Sequence, residues 1–317
     1  MNILVTGGAG FIGSHLVDLL LDNGHKVTCA DNLYLGRMKN IRHRLKDKNF
    51  KFYKLDVLDF KKLNEVFRKG GFDAVFHLVA NSQIKQKKVD TKLDLRLNFL
   101  STHNVLEAMR LNHVKAIVFA SSSAIFGETD NRLITEDTGP LRPISFYGAS
   151  KLASEAYISA FAHNFRLQAW LIRFPNVVGG RATHGILYDL LHKLKRNDRA
   201  VTVLGNGRQD KPYLHVKELV EAMVFVWQKA KGSYNYFNLG PDSTIKISKI
   251  IVILMKELGL KGRTRIKYAG GERGWTGDVP RYRYSLKKIR KLGWKARLSS
   301  EQAVRLSVRE LKEEYGF

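Results

Sequence analysis

The first thirty-one residues constrain the fold of this chain more than any other stretch. Asn2 to Thr6 is an apolar, β-branched run that enters directly the cluster Gly7-Gly8-Ala9-Gly10-Phe11-Ile12-Gly13, followed by Ser14-His15-Leu16-Val17-Asp18-Leu19-Leu20-Leu21. The pattern predicts a strand, a tight turn and an amphipathic helix. Asn23-Gly24 stops the helix, and a second β-branched run from Lys26 to Ala30 ends on Asp31, which completes a βαβ unit.

Each position has a physical task if a dinucleotide sits on this unit. Gly7 permits the sharp turn, Gly10 lets the backbone approach a pyrophosphate, and Gly13 lets the helix pack near the strand. The N–H groups at the helix start, around Phe11 and Ile12, face the phosphates. Asp31 then accepts hydrogen bonds from the adenosine ribose. A carboxylate at that point repels a 2′-phosphate and favours NAD, while Arg37 close behind keeps NADP open as an alternative.

With 317 residues, 44% hydrophobic and 26% charged, the chain has the material for a sizeable core in one large domain or two modest ones. No apolar run approaches the roughly eighteen residues of a membrane span; the longest, Ile250 to Met255, suits a short helix or strand. The chain opens on a strand, without space for a signal peptide, so the cytoplasm is the expected compartment. Its one cysteine, Cys29 in the second strand, fits inert packing and excludes an internal disulfide. The formal charge is +25, from 54 Lys and Arg against 29 Asp and Glu, an excess that attracts polyanions. The basic residues are spread along the chain (Arg42 to Lys48, Lys85 to Lys92, Lys193 to Arg199, Lys287 to Arg297), with no zinc pattern, aromatic RNA-binding motif or detached basic arm. That distribution favours a solvated surface over a nucleic-acid module.

Past Asp31, strands are expected at Phe50 to Leu55, Asp73 to Ala80 and Ala116 to Ala120, with helices over Phe60 to Arg68 and Asp90 to Leu111. A further helix over Ser145 to His163 and a strand over Leu167 to Phe174 continue the alternation. Beyond Pro175, glycine-punctuated shorter elements suit a smaller lobe, with a helix from Leu214 to Lys229 and a strand from Tyr234 to Leu239 returning to the main sheet. The fold class is therefore α/β, a doubly wound (Rossmann) parallel sheet with a smaller α/β substrate-binding lobe. Residues 1–176 would form the dinucleotide domain, with 213–240 returning to it, and 177–212 and 241–317 the lobe.

The second constellation is Tyr147-Gly148-Ala149-Ser150-Lys151. On a helix, Tyr147 and Lys151 share a face, so the ammonium is expected to lower the phenol's pKa toward neutrality and make Tyr147 a proton acceptor. Ser121-Ser122-Ser123 ends the fifth strand, and ligands bind at the carboxyl ends of parallel strands. No histidine falls in a metal-binding pattern; His77, inside a buried strand, reads as satisfied core.

With these motifs in place the chain resembles the extended short-chain dehydrogenase/reductases that act on nucleotide sugars, the UDP-galactose 4-epimerase group. The resemblance rests on T-G-G-A-G-F-I-G at 6–13, D-N-L at 31–33, L-D-V at 55–57, H-L-V-A at 77–80, S-S-S-A-I-F-G at 121–127, Y-G-A-S-K at 147–151, R-F-P-N-V-V-G at 173–179 and F-N-L-G at 237–240. It implies that Tyr147 is the acid/base, that Lys151 holds the nicotinamide ribose and that Ser122 is the catalytic hydroxyl. It implies further cofactor contacts from Asn32, Asp56, Val57, Leu78, Ala80 and Asn98, with a purely structural Asn98 as the alternative. Substrate contacts would come from Ser122, Ser123 (or Ser123 as scaffold), Tyr147 and Asn176, and from Lys211, Arg273 and Asp278 in segments matching the family's diphosphate- and nucleotide-holding motifs. Lys211 replaces a family arginine, a point charge without the bidentate fork.

The implied function is NAD-dependent epimerisation of a nucleotide-diphosphate sugar, at C4 of a UDP-hexose, by transient oxidation, in a homodimer. The family's 4,6-dehydratases and decarboxylases carry an extra acid where this chain has Ser123-Ala124, which favours epimerisation over those alternatives. A protein that senses NAD or binds RNA on the same fold is the non-enzymatic alternative.

Overall fold

The computed structural model describes residues 1–82, 90–129 and 132–317. Most of the basic run from Lys85 to Lys92 lies outside the described residues. Seven strands, β1 Asn2–Thr6, β2 Lys26–Asp31, β3 Phe50–Lys54, β4 Ala74–His77, β5 Ala116–Ala120, β6 Gln168–Arg173 and β7 Tyr234–Asn238, form one sheet in the order β7-β6-β5-β4-β1-β2-β3. β1 pairs in parallel with both β2 and β4, β2 with β3, β4 with β5 and β5 with β6. The chain winds outward from β1 to β3, then returns to β4 on the other side. The carboxyl ends of β1 and β4 thus flank the point where the strand order reverses, the place where doubly wound sheets bind ligands.

The central strands read as unbroken apolar runs because helices cover both faces of a parallel sheet. Helix α1, Phe11–Asp22, buries Leu16, Val17, Leu20 and Leu21, and α2, Phe60–Gly70, starts where the Asp59 carboxylate accepts from the Lys62 N–H at 3.2 Å. The main core packs Leu4, Val75, Ile117 and Phe119 of the sheet against Leu63, Phe67, Leu106, Met109 and Ile158 of the helices. β4 stops three residues earlier than its apolar run, at His77, and Leu78 N–H makes a further bond to β1, at Thr6 C=O (3.0 Å).

The helix expected from Asp90 to Leu111 is interrupted. α3, Thr91–Asp94, runs into a π-helical turn at Leu95–Leu100 before α4, Ser101–Leu111. Ser101 and Thr102 explain the wider turn: their hydroxyls donate to the carbonyls of Leu97 (2.7 Å) and Asn98 (2.6 Å). α5 spans Phe146–Phe165.

The chain forms two compact units. The first comprises Met1–Ile125, Phe146–Arg173 and Val220–Phe237, and the second Phe126–Ser145, Phe174–Leu219 and Asn238–Phe317. These extents differ from the expected boundaries at 126–145, which lies in the second unit because Leu133–Ile134 pairs with Arg283–Tyr284 and Glu136 accepts the Asn238 N–H at 3.0 Å. The run from Leu214 likewise begins as a strand, Tyr213–His215 beside Asn176–Val178, before turning helical at Val216. The second unit also carries α6 (Ile186–Arg196) and ends in a long helix, Ser300–Tyr315, that starts with a Ser299–Gln302 capping box. No helix among the described residues is long and apolar enough to cross a membrane.

Candidate active site

The glycine turn behaves as its spacing requires. Gly7 has φ +74°, and a Cβ there would lie 2.9 Å from Val79 N. At Gly13 a Cβ would come within 2.1 Å of Gly7 O, so α1 approaches the turn this closely only without a side chain. Gly10 begins α1, no side chain caps it, and the first turn holds no acid. The positive end of the helix is therefore left for an anion.

Asp31 closes this cradle. Its buried carboxylate accepts Ala9 N–H at 3.0 Å and Leu33 N–H at 2.8 Å. Burial pushes its pKa up, and the two N–H bonds oppose that rise. Beside it Asn32 donates to Asp56 (3.2 Å), Asp56 also accepts Leu58 N–H (2.9 Å), and Val57 C=O accepts from Asn104 (3.0 Å). Leu78 and Ala80 follow directly on β4. An uncapped helix start, a side-chain-free turn and a carboxylate at the end of β2 fit the pyrophosphate and adenosine ribose of NAD.

The expected catalytic side chains gather at the end of β5. Ser122 lies two residues past the strand, accepts Ala124 N–H at 3.1 Å and is hydrogen-bonded to the phenol of Tyr147. Ser123 follows in a short 3₁₀ turn. Tyr147 stands in the first turn of α5, buried, and Lys151, one turn on, is 1% exposed. Burial works against the expected electrostatics. Burial lifts the Tyr147 pKa to about 12; the Ser122 hydrogen bond opposes that rise and the Asp94 carboxylate adds to it. Lys151 does not bring the phenol toward neutrality. Its ammonium donates to Ala120 C=O at 2.8 Å and lies 4.6 Å from the Phe119 ring centre, and burial brings its own pKa down to about 7 against the pull of Glu155 and Asp94. Helical spacing puts the two side chains on one face, but the end of β5 decides where each finds its partner.

Asn98, fully buried in the π turn, gives its side chain to the protein. Its Oδ1 accepts Asn81 N–H (2.6 Å), and its Nδ2 donates to Asp94 (3.2 Å) and Ser150 (2.9 Å). His77 is satisfied core, between Thr6 (2.6 Å) and Thr102 (3.1 Å), and burial lowers its pKa to about 3.

Sequence reasoning missed two buried clusters. Asp94 and Asn81 support Asn98. Glu155 binds Arg173 through Nε (3.0 Å) and Nη2 (2.7 Å) and accepts the Ser121 hydroxyl at 2.5 Å, tying α5 to the ends of β5 and β6. The one available signal was spacing, since Glu155 lies a helical turn beyond Lys151.

The second unit gathers the expected substrate residues differently. Lys211 pairs with Asp278, and both are buried. Asp278 also accepts Gly274 N–H at 2.9 Å, and Arg273 donates to Asp278 C=O at 2.9 Å while pairing with Glu128. Asn176 sits 3.3 Å from the Tyr282 hydroxyl. Arg273 and Asp278 thus form one group with Lys211, whose charge Asp278 balances.

A doubly wound sheet that opens on a glycine cradle and places a serine, a buried tyrosine and a lysine at the end of β5 defines the class: a dinucleotide-dependent enzyme of the short-chain dehydrogenase/reductase kind. The pattern of the NAD dependent epimerase/dehydratase family matches residues 3–240, and the chain belongs to that family. It is 32% identical over 243 residues to a UDP-glucose 4-epimerase of Mycolicibacterium smegmatis, covering 76% of this chain and 77% of the relative. The UDP-glucose 4-epimerase of Thermotoga maritima, solved with UDP-glucose, superposes with a TM-score of 0.89 at 29% identity over 99% of this chain and all (100%) of that one. The Thermus thermophilus UDP-glucose 4-epimerase, solved with NAD, gives 0.86 at 29% identity, covering 98% and 99%.

Proposed function

We propose that this protein is an NAD-dependent nucleotide-sugar 4-epimerase acting on a UDP-hexose. The observation that carries the reading is the buried Ser122–Tyr147–Lys151 group at the end of β5. In this assignment Gly7, Gly10, Phe11, Ile12 and Gly13 hold the pyrophosphate, Asp31 and Asn32 the adenosine ribose, and Asp56, Val57, Leu78 and Ala80 line the adenine side. Lys151 holds the nicotinamide ribose, and Asn98 supports that end through its bonds to Ser150 and Asp94.

When bound, NAD supplies hydride acceptance and return at its nicotinamide ring, with a positive charge that favours the phenolate. Tyr147 Oη takes the proton of the sugar C4 hydroxyl and gives it back, and the Ser122 hydroxyl steadies the phenolate. Between the two proton transfers the 4-keto sugar turns over. Ser123 contacts the sugar, and Asn176, Lys211, Arg273 and Asp278 hold the nucleotide diphosphate. The names of the Mycolicibacterium and Thermotoga relatives support UDP as the nucleotide.

Ser123-Ala124 provides no acid for loss of water or CO2, which favours epimerisation over either elimination. Mass spectrometry and NMR after incubation with UDP-glucose, UDP-galactose and the corresponding uronic acids and N-acetyl sugars should show a 4-epimer of unchanged mass, without net NADH. A main product lighter by water or CO2 would overturn the epimerase reading.

The same reading includes a cytoplasmic homodimer. The lone buried Cys29 suits a reducing compartment. The helical region from Leu95 through α5 exposes Leu95, Leu100, Leu111, Tyr157 and Phe165, an apolar set of the kind a second copy covers. Sedimentation should give a dimer that Tyr157→Glu converts to a folded monomer; a monomeric wild-type protein would refute the assembly.

A further inference from the structure

Two buried carboxylates favour the Lys151 ammonium, Glu155 from its own helix and Asp94 from α3, and the ammonium in turn disfavours the charged form of buried His77 on β4. They are not equivalent. Glu155 is bonded to the Arg173 guanidinium at 3.0 and 2.7 Å, so its charge is matched on the spot. His77 is neutral between two threonine hydroxyls. From β5 the ammonium meets only the Ala120 carbonyl and the Phe119 ring, neither of which carries a charge. Asp94 differs from all of these. It is 6% exposed, its Oδ1 accepts two amide donors, Asn81 Nδ2 at 2.9 Å and Asn98 Nδ2 at 3.2 Å, and no cation pairs with it among the described residues.

Asn81 N–H and Asp94 together settle which way the Asn98 amide points. Asn98 Oδ1 is taken by Asn81 N–H at 2.6 Å, so Nδ2 must face Asp94 and the Ser150 hydroxyl. Ser150 in turn donates to Tyr147 C=O at 2.8 Å. A continuous chain of bonds therefore runs from Asp94 through Asn98 and Ser150 to the helical turn that carries Tyr147. An acceptor-only carboxylate at its head fixes the direction of every donor along it.

We propose that Asp94 is a positioning residue of the reaction centre: it orients Asn98 and, through Ser150, the first turn of α5, and it places a negative group in the cluster around Lys151. This rests on the epimerase reading only for the role given to Lys151. The electrostatic part concerns the protein alone. Burial brings Lys151 down to about 7, where a neighbouring charge decides whether it is protonated. An opposite charge favours the protonated form, so removing Asp94 should lower the Lys151 pKa and, by relieving repulsion of the phenolate, that of Tyr147.

The test is an NMR titration of ¹³C-labelled lysine methylenes, with Lys151 assigned by its absence in Lys151→Arg. Asp94→Asn keeps an oxygen for both amide donors and removes the charge. Its Lys151 curve should move to lower pH by roughly one unit, the order expected for loss of one opposite charge. The kcat–pH profile should move the same way. Asp94→Ala, which also frees the Asn98 amide, should lose roughly a further 10-fold in kcat with KM little changed, a loss of orientation. An unchanged Lys151 curve in folded Asp94→Asn overturns the proposal whatever the activity. A displaced curve in a protein without epimerase activity supports it and refutes the function assigned above, so the two can fail separately.

Discussion

A buried phenol with a pKa near 12 carries little phenolate at neutral pH, so at Tyr147 the groups that favour the anion matter most. Tyr147→Phe should lower kcat by roughly 10²–10⁴-fold with substrate affinity little changed. Ser122→Ala removes the hydrogen bond that favours the phenolate, so the rising limb of the kcat–pH profile should move to higher pH. A limb that stays in place would separate Ser122 from the acid/base. Asp31 has a double task, since it would meet the ribose and also accepts Ala9 and Leu33 N–H. Asp31→Ala should narrow the preference for NAD over NADP and, by orphaning a buried N–H, cost about 1–3 kcal/mol of stability. Calorimetry and cofactor titration of one sample read both. The place of Asp31 at the end of β2 was legible because strand, turn and acid are neighbours in the chain. Asp94 and the Glu155–Arg173 pair were not, since their partners come from other elements and nothing local marks a buried charge. The burial around Tyr147 and Lys151 was hidden for a related reason: helical spacing reports direction, not burial.

At the scale of elements, periodicity located every strand of the central sheet and its main helices, because burial on two faces and on one stripe leave different patterns. The π turn at Leu95–Leu100 left no such mark. It depends on the hydroxyls of Ser101 and Thr102 competing for carbonyls, and the apolar spacing across it still reads as one helix. The membership of 126–145 was equally hidden, because it is set by pairing with strand residues some 150 positions later, Leu133↔Arg283. The glycines sort by environment. A Cβ at Gly13 meets Gly7 O at 2.1 Å, whereas at Gly24, with φ +78°, nothing lies within 4 Å. Gly24→Ala should therefore cost only the strain of a left-handed residue, about 1–2 kcal/mol, with NAD affinity intact. Gly13→Ala should push α1 off the turn and abolish cofactor binding. Equal NAD affinity in the two variants, measured by fluorescence titration, would show that the close approach is not needed.

Over the whole molecule, an excess of 25 positive charges makes acid a threat, because each carboxylate that protonates adds to self-repulsion. Two groups, one in each unit, sharpen this: buried His77 and half-buried Glu310. His77 titrates near 3 in the fold because burial excludes its charged form, so between its ordinary 6.5 and about 3 only the unfolded chain takes the proton, and stability falls with pH through that window. Glu310, on the last helix, accepts Gly180 N–H at 2.8 Å and faces His215 at 3.1 Å and Lys217 at 3.2 Å. Burial alone would raise its pKa, but the His215 bond and charge, the Gly180 N–H and Lys217 prevail and bring it to about 2. Its folded pKa lies below its ordinary 4.5, so its contribution is complete above 4.5 and is lost as the pH falls toward 2. Glu310→Gln removes that contribution while keeping the shape. The variant should melt below the wild type at pH 7, and the gap should shrink through pH 4.5 and nearly close by about pH 2, while both proteins go on losing stability to His77 and the net charge. Melting curves recorded across this range decide it: a gap as wide at pH 3 as at pH 7 would mean that the Glu310 side chain holds the last helix by packing, and that its charge contributes nothing to the acid response.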